Sequence, residues 1–101
     1  MASGPIQRTS KKRLYLILSD SSHPFHGTEY SVVGLTTTKR DLAVEVTQND
    51  WKYGYPGDKS FVSPWYIFTI KHSNIDRPQG SLTNSKTNQV APEVAQIIGA
   101  L

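Results

Sequence analysis

The chain has 101 residues, enough for one domain and too short for two. Its composition, 37% hydrophobic and 10% aromatic, is that of a globular protein and not of a disordered one. The absence of cysteine excludes a disulfide framework and thiolate metal sites, and a formal net charge of +3 raises the prior for nucleic acid only slightly.

A domain of this size buries only roughly two-thirds of its unfolded surface, so dimerisation is a natural way to bury more. No apolar run approaches the ~20 residues of a membrane helix, and no secretory segment is evident. The expectation is a soluble, cytoplasmic protein with no membrane partner.

Residues 1–10 (MASGPIQRTS) are small and polar without a period and read as a flexible N-terminal arm. Residues 11–101 then form a single domain. Basic residues gather at Arg8, Lys11, Lys12 and Arg13, and again at Lys39 and Arg40 after a threonine run. Leu14 to Leu18 is a short continuous apolar run, as for a strand buried on both faces. Ser19 to Gly27 is dense in turn formers and predicts a loop.

Tyr30 to Leu35 predicts a second strand running into Thr36-Thr37-Thr38, with Gly34 marking a bulge or a close backbone approach. Leu42 to Val46 alternates like a half-exposed strand hairpinned to its predecessor. Gln48 to Lys59 reads as a loop. Phe61-Val62 and Trp65 to Ile70 form the longest strand, with Pro64 at a bulge or edge position. Residues 71–80 predict a turn, and Ser81-Leu82 a short last strand. Val90, Val94, Ile97, Ile98 and Leu101 share one helical face, with Asn88 as N-cap and Pro92 in the first turn. About five short strands and one helix predict a mostly β, strongly bent antiparallel barrel plugged by that helix.

Among chemistries, metal comes first. His23 and His26 share a loop with Asp20 and Glu29, but no second ligand pair stands at metal-site spacing, so no metal is expected. Neither a Gly-x-Ser-x-Gly elbow nor a P-loop occurs. RNA cleavage through the substrate's own 2′-hydroxyl asks little of a protein: a base, donors for the phosphorane oxygens and an acid for the 5′-oxygen. An arginine can hold those oxygens bidentately and a threonine can add a donor. Trp51, Tyr53, Tyr55, Trp65 and Tyr66 are candidates to stack splayed bases; the alternative is that they fill a small core, a role that suits Trp65 better than Trp51 or Tyr53.

Taken in order, these segments resemble the MazF/PemK toxin family. Arg13-Leu14-Tyr15-Leu16-Ile17-Leu18-Ser19 is similar to the family's arginine followed by a buried strand. Asp20 to Gly27 resembles the loop of a PemK-like branch. Val32-Val33-Gly34-Leu35-Thr36-Thr37 matches the strand ending in an apolar residue and a threonine. Ser63-Pro64-Trp65-Tyr66-Ile67-Phe68-Thr69-Ile70 sits where the family has its long central strand, and the C-terminal helix matches in place and length.

The resemblance implies an SH3-like barrel that dimerises and cuts single-stranded RNA without a metal or other cofactor. It implies Arg13 and Thr36 as the catalytic pair, and a cognate antitoxin as partner. Lys11, Lys12, His23, His26, Thr37, Lys39, Arg40, Trp65 and Tyr66 are the further candidates for RNA contact. A variant moves the proton transfer to His23 or His26, since imidazole titrates near neutral pH. The alternative function is a non-catalytic nucleic-acid- or peptide-binding barrel, an inactive toxin homologue. Three departures stand out: Leu14 replaces the usual proline after the arginine, Tyr66 and Phe68 stand where Gln and Arg are frequent, and only MASGPIQRTSKK precedes Arg13. The barrel is therefore expected to lack its first strand, or to have Pro5-Ile6-Gln7 stand in for part of it.

Overall fold

A computed structural model describes residues 4–9 and 13–99. Seven strands run in chain order: β1 (Gly4–Thr9), β2 (Leu14–Ile17), β3 (Glu29–Thr36), β4 (Val44–Val46), β5 (Trp51–Tyr53), β6 (Ser60–Lys71) and β7 (Ile75–Leu82). One helix, α1 (Asn84–Ile97), follows, and short 3-10 turns sit at Gln48–Asp50 and His72–Asn74. Every strand pairing is antiparallel, in the order β4-β6-β3-β2-β1-β7-β5. The sheet curls into a half-barrel against α1.

The predicted strand at Leu14 to Leu18 is buried on both faces for a visible reason. Leu16, with Val33, faces the larger core, which also holds Ile6, Val62, Trp51, Leu82, Val90 and Val94. Ile17, one residue on, points to the opposite face and packs with Val32 and Ile70 under Tyr15, Tyr30 and Ile75. The central strands thus carry apolar residues on both sides, and the sheet has a small outer core besides the one under the helix.

Four expectations are corrected. Residues 4–9 are not a flexible arm but strand β1, held between β2 and β7, so the first strand is present and Pro5-Ile6-Gln7 lies within it. Its signal is faint because only Ile6 is an apolar anchor, fully buried in the larger core. Second, β4 pairs with β6 and not with β3, because β3 spends both edges on β2 and β6. Third, Trp51-Lys52-Tyr53, read as loop, forms β5, and residues 75–80, read as turn, belong to β7. Pro78 is accommodated there opposite Gln7, beside a register shift.

The helix begins five residues earlier than the Asn88 cap requires, with its N-cap at 83 and not 88. Thr83 is the N-cap, its Oγ1 accepting from the Lys86 N–H at 3.2 Å, and Thr87 Oγ1 donates to the Thr83 carbonyl at 2.9 Å. Asn88 and Pro92 are therefore helix-interior residues, both on the exposed side. Val90 and Val94 are buried as the periodicity predicts, while Ile97 and Ile98 are exposed and Leu101 lies outside the described residues.

Lys86 ties the helix to the sheet edge. Its Nζ donates to the Glu45 carbonyl and to Gln89 Oε1 and pairs with Asp50 at 3.4 Å, and Asp50 in turn accepts from the Thr47 N–H. At the surface, Lys59 pairs with Glu45 at 2.8 Å, which holds the Glu45 carboxyl below the usual carboxylate range and raises the Lys59 amine.

Candidate functional site

The site grows out of the register of two strands. In the β2–β3 ladder Tyr15 faces Gly34, Leu16 faces Val33 and Ile17 faces Val32. The same register carried two residues past Tyr15 sets Arg13 opposite Thr36, on the outer face shared by Tyr15 and Gly34. Arg13 is exposed, and its carbonyl accepts from the Thr9 N–H at 3.0 Å, which fixes the chain where β1 turns back into β2. Thr36 Oγ1 accepts from the Thr38 N–H at 3.1 Å, a side-chain turn that ends β3 and holds the hydroxyl in place.

A bulge builds the opposite wall. Between Val33 and Gly34 on β3 the partner on β6 jumps from Ile67 to Ser63, so Pro64, Trp65 and Tyr66 arch out of the ladder. The proline at the bulge behaves as the sequence predicts, since it has no N–H to leave unpaired. The Tyr66 ring lies over Gly34, where an added Cβ would come within 2.6 Å of Tyr66 Cδ2. Gly34 is the close approach its place in a strand suggested.

The result is a cleft of about 310 Å³ lined by Arg13, Thr36, Thr38, Arg40, Ser63 and Trp65, with Gly34, Leu35 and Tyr66 completing the floor. Arg40 is brought in by the loop after β3. The Ala43 N–H bonds back to its carbonyl at 3.1 Å, and Leu42, exposed, takes a positive φ of 71° to close that turn. Its guanidinium sits over the Trp65 ring, 5.4 Å from the centroid, a cation–π contact that holds both side chains at the rim.

The electrostatics are one-sided. Two arginines, the hydroxyls of Thr36, Thr38, Ser63 and Tyr66, and two aromatic rings line the cleft, and among the described residues no carboxylate does. Such a surface attracts an anion, and the fork of an arginine beside a hydroxyl suits the oxygens of a phosphodiester. Among the described residues no group of three or more potential metal ligands occurs.

Of the sequence candidates, Arg13, Thr36, Arg40, Trp65 and Tyr66 come together here. Thr37 lines an adjoining depression with Arg13 and Ser60, and Lys39 stands exposed in the same loop without lining the cleft. Lys11 and Lys12 lie outside the described residues. His23 and His26 do not reach the cleft. The His23 Nδ1 accepts from the Phe25 N–H at 3.0 Å inside its own loop, where two Ser22 hydrogen bonds also hold the Asp20 carboxyl below its ordinary range. His26 borders a different cavity.

Trp51, not Trp65, is the tryptophan that fills the core, its Nε1 buried without a hydrogen-bond partner, while Trp65 is at the cleft. Sequence reasoning missed Thr38 and Ser63. The threonine run signalled the first, since a threonine two residues after another is poised for the turn seen here. Nothing marked Ser63 before the bulge was known. Trp65→Ala is expected to weaken binding of an unstructured oligoribonucleotide by about tenfold, measured by fluorescence anisotropy, because a stacking surface and the support of Arg40 go together.

No family model matches the chain, and no curated protein matches it. Solved structures do. Over 95% of this chain and 95% of the other, it superposes on the Mycobacterium tuberculosis toxin MazF-mt6 with 26% identity and a TM-score of 0.71. An endoribonuclease in complex with its cognate antitoxin, from a mycobacterial species, matches at 20% identity with a TM-score of 0.76, covering 98% of this chain and 93% of that one. A MazE-MazF structure from Deinococcus radiodurans matches at 11% identity and a TM-score of 0.77, covering 100% and 98%. With the half-barrel, the helix and nearly the whole length of both chains covered, this chain has the MazF fold.

Proposed function

We propose that the chain is the toxin of a type II toxin–antitoxin pair, a metal-independent endoribonuclease that cuts single-stranded RNA through 2′-hydroxyl attack. The observation that carries this reading is the cleft that Arg13 and Thr36 line together beyond the end of the β2–β3 ladder, with a second arginine and, among the described residues, no carboxylate. In the reaction the 2′-oxygen bonds to phosphorus as its proton leaves, the bond from phosphorus to the 5′-oxygen breaks, and that oxygen is protonated. Water is not consumed. Arg13 holds the non-bridging oxygens as negative charge builds on them, and Thr36 Oγ1 orients the phosphate. Trp65 and Tyr66 stack the flanking bases and keep the reacting strand extended.

The partners proposed are RNA, a cognate antitoxin and a second copy of the chain. The fold match to chains solved with an antitoxin supports the second of these. The exposed apolar side chains of Ile67, Ile97 and Ile98 support association, since so small a core leaves them uncovered. The cytoplasm is the compartment proposed, where the RNA would be.

The test is direct. Purified protein with excess chelator is expected to cut a long unstructured RNA, leaving 2′,3′-cyclic phosphate and 5′-hydroxyl ends. Tight, salt-dependent binding with no cut over hours would instead mark a non-catalytic barrel.

A further inference from the structure

A second cavity, of about 440 Å³, opens on the same outer face of the sheet as the cleft. Its walls include Gln7, His26, Tyr30, His72, Asp76 and Arg77, with Ile17 and Ile75 also lining it. The volume lies in the range of pockets that enclose a small ligand. Its position follows from register. Gln7 pairs with Tyr15, and Tyr15 pairs with Gly34, so these three residues form one row across β1, β2 and β3 with their side chains on one face. Gln7 borders the second cavity and Gly34 the cleft. At a strand spacing of about 4.8 Å, Gln7 and Gly34 stand about 10 Å apart in that row, with Tyr15 between them.

The lining combines aromatic rings, an amide and the Asp76 carboxylate, a mixture that suits the edge and face of a base better than a simple anion. Tyr30 is flanked by two imidazoles, His26 edge-on at 5.8 Å and His72 tilted at 5.9 Å between centroids. The Tyr30 hydroxyl lies 2.9 Å from His72 Nδ1, which fixes both rings. Gln7 Oε1 is buried with no hydrogen-bond partner, an acceptor that lacks a donor. A primary amide presents a donor and an acceptor side by side, the pattern an unpaired base edge complements. Arg77 forms no ion pair among the described residues and supplies a cation for a phosphate beside that base. Tyr15, edge-to-face with Phe68 at 5.9 Å, and Phe68 against Tyr66 at 4.3 Å continue the aromatic surface back to the cleft.

We infer that this cavity is a base-recognition pocket. It takes one unpaired nucleotide of the RNA strand, its base against Tyr30 and Gln7 and its phosphate on Arg77, and it selects the sequence near the cut. The pocket's link to cutting rests on the nuclease reading above; its affinity for a nucleotide does not.

The probes are the four nucleoside 5′-monophosphates and inorganic phosphate, titrated into the protein while the imidazole proton resonances of His26 and His72 are followed by NMR. At least one nucleotide is expected to shift both resonances at millimolar concentration. Arg77→Ala and Gln7→Leu are each expected to weaken that binding by about fivefold or more. Arg77 is exposed, so its replacement reports on binding even where Gln7→Leu disturbs β1. Equal shifts with inorganic phosphate, or none with any nucleotide, overturn the pocket. On a randomised RNA, Gln7→Leu is expected to change the base preferred at one position beside the cut, and an unaltered preference counts against the assignment. The two readings fail separately. Nucleotide shifts in a protein that cuts nothing sink the nuclease and keep the pocket, and cutting without shifts does the reverse.

Discussion

Arg13→Ala is expected to lower the single-turnover rate of RNA cleavage by about a thousandfold, the scale seen when a preorganised donor or cation is removed from a developing oxyanion. The reason is geometric. Arg13 stands opposite Thr36 in a cleft without carboxylates, so no internal anion competes for its guanidinium. The fold should survive the change, because the residue is exposed and its structural contact, the carbonyl accepting from Thr9, belongs to the backbone. Arg13→Lys is expected to recover only a small part of the rate, since an ammonium keeps the charge but not the planar fork. Thr36→Ser should stay active and Thr36→Val should not, because both the turn to Thr38 and the phosphate contact need the hydroxyl. A fluorogenic RNA in stopped flow reads the four variants and the wild type. Equal rates for Arg13→Ala and wild type would show that the pair is not the catalytic one.

Which of these residues the sequence exposes, and which it hides, has a physical pattern. Strands with a core on each side show plainly: Leu14 to Leu18 is a continuous apolar run because Leu16 and Ile17 serve different cores, and Val32-Val33 are consecutive for the same reason. Arg13 and Thr36 are legible only through the family resemblance, since neither spacing nor charge singles them out; the fold adds that both line one cleft. Elements held by a single anchor are hidden. Strand β1 has Ile6 in the larger core, and β7 spells Ile-Asp-Arg-Pro-Gln-Gly before its buried Ser81 and Leu82. Their neighbours supply the order that local propensity does not. Trp51 and Trp65 could not be told apart locally, because a bulge three residues long decides that Trp65 leaves the ladder. The histidines shared a turn-rich loop, and only the fold shows that His26 meets His72 across Tyr30 and not Arg13.

Gly80→Ala is the stability counterpart, with an expected loss of about 3 kcal/mol, the upper part of the range for overpacking. For a domain of this size that lowers Tm by roughly 12–24 °C. At the β5–β7 crossing, Gly80 and Gly54 lie back to back beside the register shift between Trp51 and Tyr53. A Cβ on Gly80 would stand 2.5 Å from the Tyr53 carbonyl oxygen and 2.9 Å from Gly54 Cα. Both obstacles are backbone, so no rotamer change relieves them, and Gly54 is itself held at a φ of +84°. The strain must move β5, and with it Trp51, out of the larger core; a red shift of tryptophan emission should accompany the lower Tm in a thermal melt. Gly34→Ala makes the opposite case, because its added Cβ meets only the Tyr66 ring, a half-exposed side chain free to swing away. That variant should keep most of its stability and lose RNA affinity as Tyr66 leaves the cleft. Gly80→Ala, remote from every residue lining the cleft, should cut RNA at the wild-type rate at temperatures where it remains folded. If both variants lost stability and neither lost affinity selectively, Tyr66 over Gly34 would be packing and not part of the binding surface.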